Sequence, residues 1–168
     1  ILDDVDRIRA IVNNSASISY NFGPTLLSWL KTAAPDTYAA ILEADRVSRE
    51  RFSGHGNALA QAYNHMILPL ANQRDRRTQI RWGQADFRHR FNRDAEGMWL
   101  PETAVDQASL RVLVDHGIRH TVLAPWQVVG VDGMELDTRR PVRVELGDGR
   151  SIVAVLYDGL LSAAVSFD

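Results

Sequence analysis

The stretch GMWLPETAVDQASLRVLVDHGIRHTVLAP, residues 97–125, carries three elements in a row. GMWLPE is a short apolar run closed by a proline, the pattern of a buried strand. DQASLRVLVDHG then has an apolar helical stripe, with Asp106 as its N-cap and Gly117 as its C-terminal stop. HTVLAP is a second short apolar strand. A strand, a helix and a strand in this order predict a parallel pair joined by a crossover helix.

The same alternation extends in both directions. Upstream, RDRRTQIRWGQADFRHRF predicts a helix, because Ile80, Phe87 and Phe91 fall at spacings of seven and four. NALAQAYNHMILPLAN (57–72) is apolar and fits either helix or strand, and Pro69 ends whatever precedes it. SISYNFG (17–23) alternates and predicts a strand. Pro24 opens a helix in GPTLLSWLK, Pro35 breaks it, and PDTYAAILEADRVSRERF forms a second helix with Asp36 as its cap. Downstream, VRVELGDGRSIVAVLYDG predicts a hairpin around Gly147-Asp148-Gly149 with a central second arm. The expectation is an α/β fold of mostly parallel strands with crossover helices. By length, residues 1–168 suit a single domain.

Composition narrows the function. Nineteen basic against 21 acidic residues leave a formal charge of −2, unlike a dedicated nucleic-acid binder. No apolar run approaches the roughly 18 residues of a membrane helix, and the opening ILDDVDRIRA is too charged for a signal peptide. There is no cysteine, which excludes disulfides, thiolate metal sites and cysteine nucleophiles and suits a cytoplasmic setting. His116 and His120 have a helical ligand spacing, but Gly117 interrupts the helix between them, so no metal site is expected. GHGN (54–57) lacks the lysine of a P-loop, no nucleophile-elbow motif occurs, and no cofactor is expected. The arginines at 74, 76, 77, 81, 88, 90 and 93 are read as a solvated helix face, and His89 among them as solvated too.

In parallel sheets, ligands gather at the C-terminal ends of the strands. Those ends carry YNH (63–65), WLPE (99–102), LAPWQ (123–127) and LYDG (156–159). Converging, they would form an aromatic-walled cleft holding His65, Glu102, Gln127 and Asp158. Glu102 and Asp158 suit the paired carboxyl groups of a glycosidase. By spacing alone they better suit a solvated acid ahead of a helix and a turn residue before Gly159. Trp99, Trp126 and Tyr157 suit stacking on sugar faces or core packing, whereas Trp82, inside a helix, suits core packing.

Taken together, SYNFGPTLLSWL, GHGNALAQAYNHMILPLAN, RTQIRWGQADFRHRFNRDAEGMWLPETAVDQASLRVLVDHGIRHTVLAP and VLYDGLLSAAVSF resemble glycoside hydrolase family 57 over almost the whole chain. The likeness is to a bacterial branch related to the family's α-amylases and glucan branching enzymes. It implies part of a distorted (β/α)7 barrel and a retaining mechanism on α-glucans, by hydrolysis or by transfer. It places the nucleophile at Glu102 and the acid/base at Asp158. It gives His65 a substrate contact, with His55, Trp99, Trp126 and Tyr157 as further substrate-binding candidates. The alternative is a non-catalytic glucan-binding or assembly module derived from such a barrel. A polysaccharide deacetylase has a similar barrel, but its metal-binding Asp-Asp and His motifs are absent from the sequence.

The family's first-strand histidine motif and the last part of its barrel have no counterpart here. The chain is therefore expected to be the middle of a longer catalytic barrel, or a shortened relative of one. With about five strands, a closed barrel is not expected. The Asp158 strand would form an exposed edge, open to self-association.

Overall fold

A computed structural model of the chain describes residues 3–134 and 136–167. The chain forms two compact units, Ile1–Ala58 and Leu59–Asp168.

The first unit is built on two helices, α1 (Pro24–Ala33) and α2 (Pro35–Arg51). A proline opens each, at a position that has no helical N–H partner to lose. The N-cap of α2 is Ala34, not the expected Asp36, which lies in the first turn and there complements the helix dipole. The expected strand at 17–23 shrinks to a single parallel bridge, Tyr20 with Ala58. Ile18 is 57% exposed, so the alternation there does not mark a sheet face. Two buried polar side chains of α2 hold the end of the unit instead. Asp45 accepts the Ala58 N–H at 3.0 Å, and Ser48 Oγ accepts that of Asn57 at 2.9 Å.

The second unit contains β1 (Ala60–Gln61), α3 (Gln73–Phe91), β2 (Met98–Trp99), α4 (Gln107–Asp115), β3 (His120–Leu123), β4 (Val142–Glu145), β5 (Ser151–Leu156) and α5 (Gly159–Phe167). β1 and β2 are parallel, with Ala60 opposite Met98 and Gln61 opposite Trp99. A parallel bridge from Gly97 to His120 joins this pair to β3. β3 runs parallel to β5, with His120 opposite Val153 and Leu123 opposite Leu156. The order is therefore β1-β2-β3-β5-β4, with β1, β2, β3 and β5 mutually parallel.

The crossover helix α4 joins β2 to β3, as residues 97–125 predict, and α3 joins β1 to β2, which settles the open reading of 57–72 in favour of a short strand. Asp106 caps α4 by accepting the Ser109 N–H at 2.7 Å, and Gly117 takes φ +79° just past its end. The connection from β3 to β5 departs from the pattern. It contains β4, which pairs with β5 antiparallel as the predicted hairpin, rather than a helix. Consequently β5 lies between β3 and β4, and the expectation that the Asp158 strand forms an edge does not hold. The described strands make an open sheet, not a closed barrel. Met98, Leu100, Leu113, Leu123, Ala154 and Leu156 fill its core.

α3 packs unusually close to β1. A Cβ on Gly83 would lie 2.0 Å from the Gln61 carbonyl oxygen. Its buried face is Arg76, Gln79, Ile80, Gly83 and Phe87. Arg76 is thus no part of a solvated face, being 7% exposed, whereas Arg74, Arg77 and Arg81 are exposed as expected. Trp82 is also displaced from expectation. It is 53% exposed and meets the edge of Tyr63 at 5.7 Å between ring centroids. No described helix is long and apolar enough to cross a membrane.

Candidate active site

Because β1, β2, β3 and β5 are parallel, their C-terminal ends share one edge of the sheet. His65 follows β1, Glu102 follows β2, Trp126 and Gln127 follow β3, and Tyr157 and Asp158 follow β5.

Two of these residues meet directly. His65 Nε2 lies 3.5 Å from Glu102 Oε1, and both side chains are open to solvent. Both also sit in left-handed backbone, His65 at φ +54° and Glu102 at φ +57°, followed by Thr103 at φ +51°. Non-glycine residues hold such conformations at a cost of about 1–3 kcal/mol each, and they persist where the surroundings fix them. Here the fixing groups are visible. The peptide of Pro101–Thr103 closes a tight turn, with the Thr103 N–H donating to the Leu100 carbonyl at 2.9 Å. Gln127 donates from Nε2 to the Thr103 carbonyl at 2.8 Å, and its Oε1 accepts the Ala124 N–H at 2.8 Å. The turn after β3 therefore clasps the turn that presents Glu102.

A second meeting joins the β3 and β5 ends. The Trp126 and Tyr157 rings stand edge to face, 5.8 Å apart at 86°. Trp126 is 74% exposed, a large indole held at the surface instead of buried. Asp158 has a local role of its own. Its Oδ1 accepts the N–H groups of Leu160 and Leu161 at 2.9 and 3.0 Å, starting α5 in the manner of an N-cap. No hydrogen bond joins Asp158 to Glu102 among the described residues.

The remaining candidates are placed separately. Trp99 is half-buried on β2 and makes no ring contact among the described residues. His55 lies in the first unit, exposed in the turn after α2. His89 is exposed. Among the described residues, no three His, Asp or Glu side chains form a group that could hold a metal ion.

The support beneath the site comes from α3. Gln79, buried, accepts the Tyr63 N–H on its backbone carbonyl at 3.2 Å and the Asn64 N–H on its side chain at 2.7 Å. Arg76 reaches further, to both loops that bear His65 and Glu102. Its Nε donates to the Leu68 carbonyl at 3.0 Å, and its Nη2 meets Asp106 Oδ2 at 3.3 Å. Burial tends to raise the Asp106 pKa. The hydrogen bonds from Ser109 and the Arg76 charge outweigh it and hold the carboxyl below its ordinary value. The polarity of Arg76 and Gln79 hides them in the sequence, where Arg76 reads as part of a solvated helix face. The available signal was a stripe: Arg76, Ile80, Gly83 and Phe87 recur every three or four residues on one helix face.

The fold recurs in solved enzymes. A 4-α-glucanotransferase from Thermococcus litoralis superposes with a TM-score of 0.67 at 22% identity, over 92% of this chain and 24% of that one. An exo-type maltose-forming amylase from Pyrococcus sp. ST04 gives 0.69 at 15% identity, over 89% and 24%. A branching enzyme from Thermococcus kodakaraensis, solved with glucose, gives 0.54 at 20% identity, over 77% and 27%. The chain thus spans about a quarter of the length of these enzymes. A comparison with curated proteins returned no match. The sequence itself matches the model of glycosyl hydrolase family 57 over residues 50–168, and the chain belongs to that family.

Proposed function

We propose that this chain is part of the catalytic domain of a retaining enzyme acting on α-glucans, with Glu102 as nucleophile and Asp158 as acid/base. The observation that carries the reading is the setting of Glu102. It is an exposed carboxylate on left-handed backbone at the C-terminal end of a parallel strand, facing His65. Strained backbone of this kind gathers at sites of chemistry, and the ends of parallel strands are where such folds place them.

Glu102 would attack the anomeric carbon while Asp158 gives a proton to the departing glycosidic oxygen. Asp158 would then take a proton from the incoming water or sugar hydroxyl, which opens the glycosyl-enzyme. Water as acceptor makes the reaction a hydrolysis, and a sugar hydroxyl makes it a transfer. In Asp158, Oδ1 is engaged by two N–H groups, so Oδ2 is the oxygen that would carry the proton. A retaining pair works at about 5–5.5 Å between carboxyl groups, a spacing that a glucan bound between Glu102 and Asp158 requires. The exposed Trp126 face, propped by Tyr157, offers an apolar platform for a pyranose ring. His65 is in place to bond a sugar hydroxyl beside Glu102.

Glu102→Gln is isosteric and removes the charge. Turnover of a maltooligosaccharide should fall by at least about a thousandfold, with the Kd for the sugar within about threefold of the parent. Glucan binding by both proteins with turnover by neither would instead support a non-catalytic binding module.

A further inference from the structure

Arg76 lies outside the sheet edge and touches no substrate position, yet its guanidinium is buried. Every acceptor around it belongs to one of two loops. Nε donates to Leu68 O at 3.0 Å, while Nη2 reaches Pro69 O at 3.5 Å and Ala71 O at 3.3 Å. These carbonyls belong to the loop that begins at His65. The fourth acceptor, Asp106 Oδ2 at 3.3 Å, belongs to the loop that begins at Glu102 and ends by capping α4. A guanidinium presents five N–H donors in a rigid planar fork and so can hold two loops at a fixed spacing, whereas the three donors of a lysine ammonium sit on a flexible stem that fixes no such spacing. The His65–Glu102 contact is 3.5 Å, the outer limit for a hydrogen bond, so a small relative movement of the loops breaks it.

We propose that Arg76 is a positioning residue that sets the separation of His65 and Glu102. This deepens the reading of Glu102 as nucleophile and rests on it for the catalytic consequence, but not for the geometry. Misplacing a reacting group by about 1 Å costs rate up to about a hundredfold. Substrate binding through the Trp126 platform should be spared, because Arg76 bonds neither Trp126 nor Tyr157.

The test pairs an activity-independent readout with kinetics. In the parent protein, Glu102→Gln should shift the His65 ring proton resonances. In the Arg76→Lys background the same change should leave them unmoved. Arg76→Lys should also lower kcat on a maltooligosaccharide about tenfold or more with KM within about threefold. Should Arg76→Lys fail to fold, Asp106→Asn replaces it, since asparagine still caps α4 while the charge partner is lost. Equal His65 shifts in both backgrounds would overturn the positioning role, as would an unchanged kcat in a folded, active Arg76→Lys protein. An active parent protein whose turnover survives Glu102→Gln, with His65 shifts that still depend on Arg76, would sink the nucleophile reading and uphold this one.

Discussion

At the scale of single residues, geometry and charge set what each group can do. His65 and Glu102 share an unfavourable left-handed backbone and face each other, a pairing that local propensity alone would not produce. The motifs WLPE and NHMILPL named both residues, and resemblance gave them roles, but neither motif carries a φ angle. Trp126 and Tyr157 were legible as aromatics beside strand ends, and their mutual contact follows from the parallel pairing of β3 and β5. His116, weighed as half of a metal pair, turns out to end α4, where Gln84 donates to its carbonyl at 2.7 Å. Burial, then the charges of Arg81 and Arg77, depress its pKa below the ordinary 6.5, against a weaker opposing pull from Asp115. The unfolded chain therefore takes up this proton first as pH falls through about 6.5. Stability contributed by neutral His116 declines from there until the folded pKa is passed. An NMR titration should place the His116 midpoint below 6.5, and Arg81→Gln should raise it. A midpoint unmoved by Arg81→Gln would remove the charge from the explanation.

At the scale of elements, α4 and the strands beside it were readable because their ends are punctuated. Asp106 and Gly117 bracket the helix, and the hairpin turn carries two glycines. α3 was readable as a helix but not as a packing surface. Its inner face uses Arg76, Gln79 and Gly83, so hydrophobicity reported only Ile80 and Phe87. The β4–β5 hairpin and the central place of its second arm were readable from the glycine turn and the apolar run, whereas the expected exposed edge at the Asp158 strand overlooked that β4 itself covers β5. The close approach of α3 to β1 gives a direct test. In Gly83→Ala the added methyl meets a backbone oxygen that no rotamer change can move. Overpacking costs roughly 1–3 kcal/mol, more than the ~1 kcal/mol that alanine returns in helix propensity. Thermal melting should drop, by about 2–4 °C per kcal/mol lost. An unchanged or higher Tm would mean that α3 does not rest on the Gln61 backbone as described.

At the scale of the whole molecule, the parallel strands of the second unit gather a carboxylate, a histidine and an aromatic pair along one sheet edge. The family match over residues 50–168 takes in that whole edge, and the fold is shared with solved enzymes. The central claim is that Glu102 forms a covalent bond to sugar. The direct measurement is intact-mass analysis of the protein after incubation with a fluorinated α-glucosyl fluoride, which slows release of a glycosyl-enzyme. The account predicts a mass increase of one fluoroglucosyl group, mapped to Glu102 by peptide analysis and absent in Glu102→Gln. A folded protein that gains no mass, or that gains the same mass in Glu102→Gln, would contradict it.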